Sequence, residues 1–216
     1  MRRKIPCFCD NTFVADVPEE IDLDADPHYV EDILSGNFMN FTCASCGKRH
    51  KPEFPLSVKW PSKNILLEVL PELDRGEFYR RPDDKKETRP AASGEASPAR
   101  ETVISYPEMA ERIALLRDGL VPDAVEAIKC YLFVKADEAY PEGDIGVWYQ
   151  ARSGESLEFH IHGIKSGEVA VTRIPLSLYE KTLEDFRANP RGDPFAGLRV
   201  KSYCSIQNTL RPDELK

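Results

Sequence analysis

Two tight pairs of cysteines, Cys7-Phe8-Cys9 and Cys43-Ala44-Ser45-Cys46-Gly47, constrain this chain more than any other feature. Four thiols in two chelating pairs are the ligand count of a closed tetrahedral zinc site. The second pair has the spacing of a metal knuckle, with a glycine just after the second thiol where the backbone turns with positive φ. The first pair is one residue shorter. Residues i and i+2 of an extended chain point to one face, so Cys7 and Cys9 can still reach one ion. A disulfide between them would be strained. His50 follows Cys46 by four residues and could replace a weak ligand, giving a three-cysteine, one-histidine site. The alternative is four ordinary buried or reactive thiols. The paired spacing favours structural Zn2+ on Cys7, Cys9, Cys43 and Cys46.

The chain has 216 residues, room for one large domain or two small ones. It carries 29 Lys and Arg against 37 Asp and Glu, a formal charge of −8. The acidity is spread: residues 1–80 hold 10 basic and 14 acidic side chains, and residues 106–216 hold 14 and 18. Proteins that track phosphates need a basic face, and this balance argues against a nucleic-acid partner. Arg2, Arg3 and Lys4 read as a solvated basic start. No apolar run follows them as in a secretory signal, and none is long enough to span a membrane. Paired cysteines without an export signal point to metal binding in a reducing cytoplasm. Cys130 and Cys204 stand alone among apolar residues and read as buried free thiols.

The stretch Arg81 to Arg100 is charged, rich in Pro, Ala and Ser, and empty of large apolar side chains. It predicts a flexible linker, with boundaries at 1–80, 81–104 and 105–216. The fold class expected is α+β. A small zinc-ribbon-like β domain with one inserted helix comes first, and a helical hairpin with an antiparallel sheet follows. In the first part Thr12 to Val17 reads as a strand. Asp26 and Pro27 open a helix that Gly36 closes. Phe38 to Thr42, Leu56 to Trp60 and Asn64 to Leu70 read as strands. A core this thin makes zinc a large share of the folding free energy. In the second part Ser105 caps a helix over 106–117. Pro122 opens the next. Residues 146–152, 156–162 and 168–174 alternate as a strand meander. Leu176 to Arg187 is amphipathic, and 200–206 reads as a closing strand.

With the cysteine pairs, the helix between them and Phe54-Pro55-Leu56 in view, the chain resembles the bacterial and archaeal CpXC domain. Met109 to Ile113 and Gly119 to Lys129 are similar to the middle of that family. The resemblance covers roughly residues 5–135. It implies a metal-binding N-terminal domain and carries no activity, since the family is functionally uncharacterised. The chain departs from the family pattern at both motifs. Pro6 takes the place of the family's first cysteine, with Cys7 shifted by one, and Ala44 stands where the second motif has proline.

Glu158, His160 and His162 alternate on a predicted strand and share a face. They could hold a second metal or serve as acid and base, as in a metal-dependent hydrolase. At this spacing a solvated strand face is the commoner outcome. Serine elbows and phosphate-cradling glycine loops are absent. Four thiolates leave a metal no open position for water. The expectation is therefore a non-catalytic zinc-binding module, its partner unknown and most simply a protein. A hydrolase built on Glu158, His160 and His162, or a nucleic-acid-binding ribbon, is the alternative.

Overall fold

The computed structural model describes residues 1–82, 98–188 and 196–210. The fold is α+β, and the chain forms two compact units, Met1–Ala110 and Glu111–Lys216.

In the first unit β1 (Arg2–Pro6) and β2 (Thr12–Asp16) form an antiparallel hairpin whose loop carries Cys7 and Cys9. Next come β3 (Glu20–Asp22) and α1 (His28–Leu34). A second hairpin of β4 (Phe41–Thr42) and β5 (Arg49–His50) carries Cys43 and Cys46. Then β6 (Leu56–Trp60), β7 (Ile65–Leu70), α2 (Arg75–Arg80) and β8 (Ala99–Ile104) complete the unit with the start of α3 (Tyr106–Arg117).

The strand order within this unit is β8-β7-β6-β3. β6 and β7 are antiparallel, as a short connection allows. The outer pairs, β3 with β6 and β7 with β8, are parallel. Parallel neighbours require crossover connections. The crossover from β3 to β6 holds α1 and the whole second cysteine hairpin. Alternate residues of the inner strands, Leu56, Val58, Leu67 and Val69, are buried, and Ile21, Ile33 and Phe38 join the core.

Two expectations need correction here. The linker expected over 81–104 ends too late, because Ala99–Ile104 is a strand whose Thr102, Val103 and Ile104 are buried. Most of that segment, residues 83–97, lies outside the described residues. The opening of the helix at Asp26 and Pro27 also differs: Asp26, expected to cap it, makes no capping hydrogen bond. No side chain caps α1; instead the Asp22 carboxylate accepts the N–H groups of Asp24 and Ala25 before the helix begins.

In the second unit α4 (Pro122–Ala139) is followed by β9 (Gly146–Ser153), β10 (Ser156–His162) and β11 (Ala170–Pro175). These make an antiparallel sheet in the order β11-β10-β9. α5 (Leu176–Ala188), the short pair β12 (Arg199–Val200) and β13 (Tyr203–Cys204), and α6 (Gln207–Leu210) follow. The strand expected over 200–206 is thus broken into two arms, with Lys201 at φ 56° in the turn between them. α4 packs on β9, α5 and β13.

Every residue of α4 from Ala124 to Lys129 is buried, Glu126 and Lys129 included. Lys129 Nζ lies 2.6 Å from Glu111 Oε2 and 2.9 Å from Glu126 Oε1. Each carboxylate also accepts a backbone N–H: Tyr149 N donates to Glu111 at 2.6 Å, and Ile206 N donates to Glu126 at 2.8 Å. Buried charge is tolerated only when paired and hydrogen-bonded. This triad meets both conditions and ties β9 and the C-terminal turn to the helices.

Candidate metal centre

Both cysteine hairpins turn by the same device. In the second, the N–H of Gly47 donates to Cys43 O at 2.8 Å, and Gly47 sits at φ +70°. That conformation is strained for residues with a Cβ. In the first, Asp10 N donates to Cys7 O at 3.1 Å, one residue closer along the chain. Asp10 takes φ 62°, which a short polar side chain tolerates best after glycine. The one-residue deficit of the first pair is therefore absorbed by a tighter turn, and Cys7 stays in reach.

The sulfurs converge. Cys7 Sγ is 3.5 Å from Cys46 Sγ, and Cys9 Sγ is 3.8 Å from Cys43 Sγ. All four lie within 4.8 Å of one another. A tetrahedral ion with metal–sulfur bonds of about 2.3 Å separates its sulfurs by about 3.8 Å. The four thiols thus fit one tetrahedral ion. None of the six cysteines is in a disulfide. Among the described residues, no other cluster of three or more His, Cys, Asp or Glu side chains is arranged this way.

The surroundings favour a thiolate at Cys43. Burial raises its pKa, but the backbone N–H groups of Cys46 and Ser45 and the Asn11 side chain outweigh burial and bring it to about 6. At Cys7 the Cys9 backbone N–H acts downward. Burial and the three neighbouring thiols prevail and push it up to about 12. A cation bound by these four sulfurs would displace the thiol protons that remain. Asn11 braces the knuckle, donating to Ser45 Oγ at 2.9 Å.

His50 sits outside the four-sulfur set. Its Nε2 lies 3.1 Å from Cys7 Sγ, within hydrogen-bonding distance of the sulfur. Its ring is held between Phe8, with centroids 5.7 Å apart, and Phe13, at 5.8 Å. A ring so placed could orient Cys7 from outside a four-sulfur metal set.

The other candidates are placed differently. Glu158, His160 and His162 do share one face of β10, opposite buried Leu157, Phe159 and Ile161. The Glu158 carboxylate is engaged by Arg173 on β11, at 2.8 Å, and His160 Nε2 lies 3.5 Å from its other oxygen. Cys130 and Cys204 pack around Ala127 and Leu198 in the second unit. Burial pushes both thiols up, so they stay protonated. Two features escaped the sequence reading: the Glu111–Lys129–Glu126 triad and the exposure of Phe8. Glu126 and Lys129 had a visible signal, since both fall beside Val125 and Ile128 on a helix apolar nearly all round.

Among the described residues, no helix is long and apolar enough to cross a membrane. A protein of Treponema pallidum (strain Nichols), described as an uncharacterized protein, is 27% identical over 221 residues. The match takes in 96% of this chain and 98% of that protein. No solved structure matches. The family model described as CpXC protein matches residues 5–129, which contain all four converging cysteines and more than half of the sequence. The chain belongs to the CpXC family.

Proposed function

We propose that this is a non-catalytic, cytoplasmic zinc-binding protein whose metal organises an interaction module in the first unit. The observation that carries the reading is the convergence of four sulfurs from two hairpins, with facing pairs at 3.5 and 3.8 Å. A tetrahedral all-thiolate set suits Zn2+, and four protein ligands close its shell. A closed shell holds no water to activate, so the metal supplies fold rather than chemistry. Thiolate sites of this kind persist where thiols are kept reduced. On β10, Arg173 engages one oxygen of Glu158 in an exposed pair, which supports reading that strand as a solvated face rather than as a hydrolase site.

Elemental analysis of the purified protein tests the reading. One zinc per chain is expected, lost in Cys43→Ser together with cooperative unfolding of the first unit. A wild-type protein that is fully folded and metal-free refutes it.

A further inference from the structure

Phe8 is 87% exposed, although it lies between two cysteines whose sulfurs point inward. Exposure of one apolar side chain is common and means little alone; Leu73 is 95% exposed on the same chain. Three further observations set Phe8 apart. Its neighbours on both sides are committed to the four-sulfur set, so its backbone is fixed. Its ring stacks on His50 at 26° between planes. And the two hairpins that meet at this tip are basic.

Residues 1–16 and 41–51 hold Arg2, Arg3, Lys4, Lys48, Arg49 and Lys51 against only Asp10 and Asp16. That is a balance of +4 in a chain of −8, leaving −12 for everything else. All six cations are exposed. A zinc ion on four thiolates carries −2, which leaves the paired hairpins at +2. Summing charge over residues 1–80 merges this tip with the acidic stretch from Glu19 to Asp32 and conceals it. Lys48 and Arg49 immediately precede His50, and the facing sulfurs bring their hairpin against the loop of Phe8.

An exposed ring on a rigid turn, backed by a second ring and flanked by cations, suits a flat aromatic group on an anionic backbone. We propose that the tip binds single-stranded nucleic acid. A base stacks on Phe8 over His50, and Lys48, Arg49, Lys4 and Arg3 meet phosphates, while Arg2 pairs with Asp16 at the far end of the β1–β2 hairpin. Stacking is tolerant of sequence because every base has a π face. A turn fixed on both sides loses little entropy on binding. This rests on the zinc reading above, since the metal fixes the turn.

The test is fluorescence anisotropy with labelled dT20 and rU20, with zinc content measured on the same samples. Neither stacking nor phosphate contact reads a 2′-hydroxyl, so both probes should bind within a few-fold of each other. Three or four phosphate contacts predict a loss of roughly 20- to 50-fold in affinity between 50 and 200 mM salt. Phe8→Ala should keep its zinc and bind about 5- to 150-fold more weakly, the range for losing one base–aromatic stack. Phe8→Leu retains apolar bulk at the turn and should weaken binding similarly. Lys48→Glu with Arg49→Glu should abolish it.

Zinc-loaded wild type that binds neither probe at 50 mM salt overturns this proposal and leaves the metal reading intact. Unchanged affinity in Phe8→Ala and Phe8→Leu also overturns it, by reducing any binding to surface charge. So does light scattering that shows a dimer which Phe8→Ala dissociates, since the tip would then receive a second copy of the chain. Folded protein without zinc refutes the metal reading itself.

Discussion

Lys129 Nζ meets Glu111 Oε2 at 2.6 Å with both side chains buried. The same ammonium bonds Glu126, so two carboxylates share one cation inside the second unit. Removing the cation leaves both carboxylates buried without their partner. Lys129→Met is therefore expected to destabilise the second unit by about 3–5 kcal/mol. Urea unfolding followed by circular dichroism measures this. A loss below about 1 kcal/mol would show that water reaches the triad.

The same triad makes stability depend on pH. Burial pushes the Glu111 carboxyl up from 4.5 to about 7, aided by the Glu126 charge and opposed by Lys129 and the Tyr149 N–H. A carboxyl with a raised folded-state value holds its proton where the unfolded chain has released it. Its contribution is full below pH 4.5 and is lost as pH rises through about 7. Glu111→Gln leaves a balanced Glu126–Lys129 pair. The urea midpoint of that variant should lose the downward slope between these pH values that the wild type shows.

His50 tests the boundary of the metal site. If it only orients Cys7, His50→Ala keeps one zinc per chain and weakens its hold about 10- to 100-fold. Competition with a chromophoric chelator reads both quantities. A variant purified without zinc would make His50 a ligand.

On β10, replacing His160 and His162 together with Gln should leave metal content unchanged. The unfolding free energy should move by no more than about 1 kcal/mol, since the only ion pair lost is the partly exposed one between His160 and Glu158. Loss of a second metal equivalent would place a site on this strand.

The sequence showed the cysteine pairs, the inserted helix, the helical hairpin and the meander, because each carries a strong local signal. Other elements were hidden for physical reasons. Only the last half of Ala99–Ile104 is buried, so its first residues look like more linker. Glu20–Asp22 is three residues long and owes its strand state to pairing with β6, which no local pattern records. Arg2–Pro6 exposes all but Ile5 and reads as a charged terminus. At the site, the sulfurs were legible from spacing. The placement of His50 against Cys7, and of Phe8 against His50, depends on how two distant hairpins meet.

Cys9 and Cys43 are 34 residues apart in the chain, and their sulfurs are 3.8 Å apart. A metal between them closes a loop that contains β3 and α1. Cross-linking a loop of that size removes about 3–4 kcal/mol of entropy from the unfolded chain. β3 is the strand with most to lose, since only Glu20, Ile21 and Asp22 pair with β6. Chelation should therefore peel this strand away first. Hydrogen exchange would quicken at Ile21 while β6 and β7 stay protected by each other. The first unit's share of the sheet would then follow the metal supply: β8, β7, β6 and β3 when the ion is abundant, β8, β7 and β6 when it is scarce.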